Sequence, residues 1–466
     1  MKQSLFSFFG IALFVSLFVL GSCGGSQSGE PTQQDTTPVS YAPVTHPEWA
    51  KTANIYEVNL RQYTQSGTIN EFVKELPRLK AMGVDILWFM PIHPIGVVNR
   101  KGTLGSYYSV KDYKAVAPEF GTMEDFKAMV DSIHKMNMYI IIDWVANHTA
   151  WDNEMLANHK EWYTLDSTGK PTPPEGTDWS DVIDLNYENM EMRKYMIDAL
   201  KFWVKEANID GYRCDVADWV PVEFWNQARK ELDEIKPVFM LAEAENPELH
   251  KHAFDMTYGW HLHHVANQIA KKEKDASELV SYFNQKAKEF QADDYRMLFT
   301  SNHDENSWNG TEFERMGKGT STFAVLMATV PGMPLIYSGQ EVSMNKRLEF
   351  FEKDPIDWKK GKDISGFYKT LFELKKRNQA LWNGTAGGTM TIIDNSENKA
   401  VFAFVREKEQ NKVVVYLNLS EKPVKVKVNN PVLEGEFTNV FNGKKVAQKA
   451  DNNITLAAWE YMVLEK

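Results

Sequence analysis

Residues 211–219, GYRCDVADW, have the apolar character of a short strand yet carry Arg213 and Asp215. Side chains alternate along a strand, so these two share one face while Tyr212, Cys214 and Val216 take the other and read as core. An arginine and an aspartate on a largely apolar strand cost desolvation energy unless they are paired or chemically employed. A parallel barrel accommodates them, because such barrels gather chemistry at the C-terminal ends of their strands.

The surrounding pattern agrees. Eight strand-like runs follow one another: NIYEVNL, DILWFMP, YIIIDWV, GYRCDVA, VFMLAEA, DMTY, MLFTSN and MPLIYSG. Most are separated by amphipathic stretches with apolar residues at three- and four-residue spacing, such as INEFVKELPRLKAMG and MEMRKYMIDALKFWVKEAN. Gly83 and Asn208 are suited to cap the ends of those two helices. Repeated strand–helix alternation predicts an α/β fold, a (β/α)8 TIM barrel over residues 46–382. The long connection after the third run, residues 149–189, predicts a small lobe inserted over the barrel mouth. Beyond it, residues 383–466 alternate as β segments with Asn and Gly turns, which predicts a C-terminal antiparallel β-sandwich domain.

Residues 1–22 have a basic start and an apolar run from Leu5 to Leu20, and read as a signal peptide rather than a span. Leu20-Gly21-Ser22-Cys23 resembles a bacterial lipobox, which predicts a lipid anchor on Cys23 in an envelope membrane, the outer membrane being expected and its face left open. Residues 23–45, rich in Gly, Ser, Gln, Thr and Pro, read as a flexible tether. With Cys214 as the only other cysteine, no intramolecular disulfide framework exists. The net charge of −11 argues against a nucleic-acid partner.

Four runs end in polar residues that make poor core: Asp143, Asn147 and His148 after the third; Arg213 and Asp215 in the fourth; Glu243 in the fifth; His303 and Asp304 after the seventh. Singly, each has a structural reading as a satisfied histidine or a helix cap. Three carboxylates on separate strands suit glycosidic bond cleavage, which needs one carboxyl as acid and another as nucleophile or base. Arg213 is placed to hold Asp215 ionised, whereas apolar neighbours of Glu243 would raise its pKa and keep it protonated.

Together DWVANH, GYRCDVADW, MLAEAE and FTSNHD resemble the four signature regions of the alpha-amylase superfamily, glycoside hydrolase family 13. Their order and strands agree, and VDILWFMPIHP, GSYYSVKDY, VIDLN and PGMPLIYSGQE extend the resemblance over residues 50–380. It implies that Asp215 is the nucleophile, Glu243 the acid/base and Asp304 a third carboxylate binding sugar hydroxyls. Arg213 would orient Asp215, His148 and His303 would hydrogen-bond hydroxyls, Tyr108 would stack on the ring, and Asp143 would support the site from beneath. Such enzymes retain anomeric configuration through a glycosyl-enzyme, with the two reacting carboxyls about 5–5.5 Å apart. The substrate expected is starch or a maltooligosaccharide, and no organic cofactor is implied.

The match departs in places. Many members carry Lys-His at the positions of Asp218 and Trp219, and DVADW is closer to neopullulanase and cyclomaltodextrinase relatives. Trp219 would stack on an acceptor sugar or pack under the lobe. Asn147 and Asp184 match oxygen-ligand positions of calcium-binding relatives, which makes Ca2+ a candidate ion. An α-amylase acting on α-1,4 bonds is the leading reading. A neopullulanase-like hydrolase, an α-glucosidase, a 4-α-glucanotransferase or a catalytically silent starch-binding lipoprotein are the alternatives.

Overall fold

The structure is a computed structural model that describes residues 40–466. The signal peptide, Cys23 and the tether up to residue 39 lie outside the described residues. Residues 41–45, expected within the tether, instead lie on the barrel. His252 Nδ1 contacts the Ala42 carbonyl at 3.0 Å, and Arg229 Nη2 donates to Thr45 O at 3.1 Å.

Ten strands alternate with helices over the first part of the chain. They are β1 (Ile55–Val58), β2 (Ile86–Phe89), β3 (Tyr139–Val145), β4 (His148–Ala150), β5 (Val182–Asp184), β6 (Gly211–Asp215), β7 (Phe239–Ala242), β8 (Met256–Tyr258), β9 (Tyr295–Leu298) and β10 (Met333–Tyr337). All but β4 and β5 close a barrel in the order β1-β10-β9-β8-β7-β6-β3-β2. Their ladders are parallel throughout. The eight expected runs are the eight barrel strands. β4 and β5 pair antiparallel inside the lobe, with His148 opposite Asp184.

Strand alternation divides the core in two. Ile55, Ile86, Trp88, Ile141, Phe239 and Leu241 fill the barrel interior. Tyr56, Leu87, Ile142, Tyr212, Cys214 and Met240 face the surrounding helices. Arg213 and Asp215 therefore point inward, and Cys214 is a free, buried thiol of the outer layer. Gly211 opens β6 at φ 154°, where a Cβ would meet the Phe239 carbonyl oxygen at 1.8 Å, so no side chain fits between these strands.

Helix Met190–Ala207 is continuous, capped by Asn189 and closed by Asn208 at φ 56°. The expected helix ending at Gly83 is broken into Ile69–Phe72, a 3-10 turn Val73–Glu75 and Leu76–Met82. Pro77 accounts for the break, because it lacks the N–H of an interior position and fits only the first turn of a helix. Gly83 still caps the last piece at φ 95°.

The C-terminal strands are β11 (Thr389–Ile392), β12 (Val401–Lys408), β13 (Asn411–Asn418), β14 (Val424–Asn429), β15 (Gly435–Asn439), β16 (Lys445–Gln448), β17 (Asp451–Leu456) and β18 (Tyr461–Glu465). Six form a sheet in the order β11-β12-β13-β18-β15-β16, and β14 pairs with β17. Val401, Ala403 and Val405 of β12 pack on Val426, Val428, Ile454 and Leu456 across the sandwich. Phe402 and Phe404, on the opposite face, pack with Phe323 and Leu371 of the barrel's outer helices.

Candidate active site

Inward-facing residues near the C-terminal ends of β1, β3 and β6 are polar rather than apolar. Glu57 and Asp143 have no exposed surface, and neither has Arg213. Register places Asp143 directly beside Arg213. Arg213 Nη1 donates to Asp143 Oδ1 and to Asp215 Oδ1, both at 2.9 Å. Its Nη2 stands 2.9 Å from Glu243 Oε2, off the line of its N–H bonds, and its Nε donates to Tyr258 OH at 3.1 Å. One guanidinium thus underlies three carboxylates.

Glu243 is the first residue past β7 rather than part of the strand. Its Oε2 accepts the Val216 N–H at 2.9 Å. Val216 reaches it from a left-handed conformation, φ 36° and ψ 49°. A branched side chain pays strain there, which marks this turn as functionally constrained. Asp304 follows β9 at the head of the π-turn Glu305–Asn309.

Asp215, Glu243 and Asp304 open onto one cleft of about 520 Å³. Tyr108, His148, Trp179, Trp308, Phe350 and Phe351 share its walls. The side chains of Asp215, Glu243 and Asp304 are 10, 14 and 35 % exposed respectively, so Asp215 is the deepest and Asp304 the most open. A larger cavity of about 840 Å³ lies away from these carboxylates.

Burial raises the pKa of Asp215, and Arg213 opposes the shift through its charge and hydrogen bond. Burial also raises Glu243; Arg213 again opposes, while the charge of Asp215 pushes it further up. The expected contrast, Asp215 held ionised by Arg213 and Glu243 raised by its apolar neighbours, is corrected accordingly. Both are raised, because burial outweighs an Arg213 divided among three acids, and the asymmetry lies in which acid holds the direct hydrogen bond. Asp143, enclosed by the barrel, is pushed by burial up to about 7 despite Arg213.

His303 and Arg213 lie under the cleft rather than on its wall. His303 Nδ1 is 2.5 Å from Glu57 Oε1, and its Nε2 is 2.7 Å from Tyr108 OH and 3.2 Å from Asp304 Oδ2. Burial disfavours the imidazolium, yet Asp304 and Glu57 outweigh it and hold the pKa up at about 9. With both nitrogens engaged, His303 would have to exchange a protein partner to meet a sugar hydroxyl. His148 does line the cleft, and burial draws it down to about 4, leaving a neutral ring. Tyr108 presents its ring to the cleft while its hydroxyl donates to Asp143 Oδ2 at 3.2 Å.

Trp219 is half exposed and stacks on Trp179 of the lobe, with ring centroids 5.4 Å apart. The pair extends the aromatic wall outward beside His148, so Trp219 does not pack under the lobe. Trp179, Trp308 and Phe350 are site residues that sequence reasoning passed over. Glu57 is another, although an acid inside the apolar run NIYEVNL is the signal that singled out Arg213.

Asn147 and Asp184 do come together. Asn147 Nδ2 donates to Asp184 Oδ1 at 3.4 Å, and Thr164 Oγ1 donates to Oδ2 at 2.7 Å. Both carboxylate oxygens are taken by protein donors, and no cluster of three acidic, histidine or cysteine ligands exists among the described residues. Such a pair does not fit an ion that asks for six to eight oxygens.

Comparison with known proteins agrees with this geometry. The family model described as alpha amylase, catalytic domain, matches residues 35–419, and that of the maltogenic amylase C-terminal domain matches residues 390–463. Alpha-amylase 3 of Dictyoglomus thermophilum is 26 % identical over 86 % of this chain and 91 % of its own. The crystal structure of a maltogenic alpha-amylase from Thermotoga neapolitana superposes with a TM-score of 0.82 at 30 % identity, covering 90 % of this chain and 99 % of that one. Neopullulanase 2 of Thermoactinomyces vulgaris is 25 % identical over 90 % of this chain and 78 % of its own. A closed barrel followed by a β-sandwich is thus matched along nearly its whole length, and the chain belongs to the alpha-amylase family of glycoside hydrolases.

Proposed function

We propose that the protein is a retaining hydrolase of α-1,4-linked glucans, starch or maltooligosaccharides, of the α-amylase type. The observation that carries this reading is that Asp215, Glu243 and Asp304 share one cleft with Arg213 beneath. Asp215 attacks the anomeric carbon while Glu243 gives its proton to the departing glycosidic oxygen. The resulting ester on Asp215 is displaced by water, whose proton passes to Glu243, restoring both groups. Asp304, the most open acid, binds hydroxyls of the same ring, Tyr108 supplies a stacking face and His148 a neutral hydrogen-bonding nitrogen. Product analysis tests the linkage: short maltooligosaccharides from starch support the α-amylase reading, and glucose alone from chain ends contradicts it.

A second reading, a neopullulanase-like hydrolase, is favoured by the match to a maltogenic amylase C-terminal domain and by Asp218–Trp219 in the acceptor region. Panose released from pullulan would decide for it.

The raised carboxyls set the pH dependence. Asp215 must be ionised and Glu243 protonated, so kcat/KM rises as Asp215 loses its proton and falls as Glu243 loses its own. Both limbs of the profile lie above the ordinary values of 3.8 and 4.5, and an acid limb below 3.8 would contradict the assignment.

We read Asn147–Asp184 as a hydrogen-bonded brace for the lobe. Thermal stability is expected to be unchanged by a calcium chelator, and a marked fall in Tm would overturn that. The N-terminal segment supports a lipid anchor on Cys23 in the cell envelope. Cys23→Ala is expected to move the protein from the membrane fraction to the soluble one, and unaltered membrane retention would refute the anchor.

A further inference from the structure

The larger cavity, about 840 Å³, lies between the barrel and the C-terminal sheet, beside the starts of β9 and β10 and the edge strand β11. It sits outside the barrel wall, apart from the cleft formed at the strands' C-terminal ends. Its volume is that of a small-molecule site. Tyr282, Phe283, Phe290 and Trp382 give it an aromatic lining, and four cations, Lys288, Arg296, Arg406 and Lys408, reach it. Two acids, Asp294 and Asp394, also line it. An excess of cations is unusual in a chain whose net charge is −11.

Arg406 is the anomaly. Alternation along β12 places it in line with Phe402 and Phe404, facing the barrel, where an apolar residue would be expected. It is 1 % exposed. Its Nε donates to Gly388 O at 3.0 Å and its Nη1 to Thr329 O at 3.1 Å, but among the described residues no carboxylate pairs with it. Burial alone, with no acid to offset it, draws the guanidinium down to about 9. A second buried basic group, Lys375, stands behind the same wall and donates to Gly332 O, Leu381 O and Asn383 Oδ1, its pKa drawn well down by burial and by Arg406. Arg296 adds a buried Nε that has no hydrogen-bond partner, although its Nη2 pairs with Glu245 Oε1, so Arg406 is the buried charge left without an acid. Buried charges are ordinarily paired, and an unpaired one costs several kcal/mol. Carbonyl oxygens satisfy donors but do not neutralise the charge.

We propose that this cavity is a second ligand site that takes a small anionic molecule, with a phosphate or carboxylate group on Arg406 and its carbon skeleton against the aromatic lining. Planar guanidinium groups suit oxyanions because their paired N–H bonds match two oxygens at once. The bound anion supplies the counter-charge that the fold itself omits.

Calorimetric titration of the full chain with inorganic phosphate, glucose 6-phosphate and glucose tests this. Phosphate and glucose 6-phosphate are expected to bind at one site, the sugar phosphate more tightly, and glucose not at all. Saturating the cleft of the Asp215→Asn variant with maltotriose should leave that binding in place. Arg406→Met should weaken it by about tenfold or more, the scale of a lost charge-assisted hydrogen bond, while starch hydrolysis continues. Lys408→Glu, at an incompletely buried position, should weaken it too and serves if Arg406→Met fails to fold. Absence of heat with both anions, displacement by maltotriose, or affinity unchanged in the variant that folds would each overturn the proposal.

Discussion

Asp215→Asn is expected to lower kcat on maltooligosaccharides by about 10⁴-fold or more, the scale seen when a nucleophile is removed. The fold should survive. Arg213 keeps Asp143 and Glu243 at 2.9 Å, so no buried cation is left without a counter-charge. The asparagine amide can still reach the guanidinium region, and the Asp215 side chain is itself 10 % exposed, at the floor of an open cleft. Circular dichroism and Tm close to those of the parent, together with lost turnover, are the expected pair of results. Full activity in this variant would remove the assigned nucleophile.

Arg213→Ala should behave in the opposite way with respect to stability. It leaves Asp143 fully enclosed, with only Trp88 Nε1 and Tyr108 OH as donors, both at 3.2 Å. Removing one partner of a buried ionic group costs about 3–5 kcal/mol, so chemical denaturation should show a loss of that order as well as lost activity. Combining it with Asp143→Asn should recover part of the stability, since the enclosed acid left without its partner is then absent, but none of the activity. A variant as stable as the parent would mean that Arg213 is not the shared counter-ion of this barrel end.

The two variants separate what the sequence reveals from what it conceals. That Arg213 and Asp215 share a strand face follows from a period of two, and the inward placement of both follows from the apolar residues that alternate with them. The cross-strand neighbours do not follow. Asp143 is 70 residues from Arg213 along the chain and meets it only through the β3–β6 register, and Glu243 arrives from β7. The sharing of one guanidinium among three acids, which leaves burial to shift Asp215 upward, is a tertiary fact.

Other gaps have equally local causes. β16 and β17 escape a hydrophobic reading because Lys445, Asp451, Asn452 and Asn453 leave few apolar positions to alternate. The docking of residues 41–46 depends on Arg229, His252 and Asp255, distant groups that composition cannot display. The break at Pro77 was open to inspection, since a proline inside a helical period ends or restarts the helix. Trp179 and Trp308 lie in irregular segments, where nothing in periodicity separates a stacking ring from a packed one.

Among possible measurements, mass spectrometry of a trapped intermediate bears most directly on the convergence of these acids around one sugar. Reaction of the protein with a slow fluorosugar donor of the α-gluco series should attach one glycosyl unit, and peptide mapping should place it on Asp215. A label on any other side chain, or rapid turnover with inverted anomeric configuration and no label, would contradict the account.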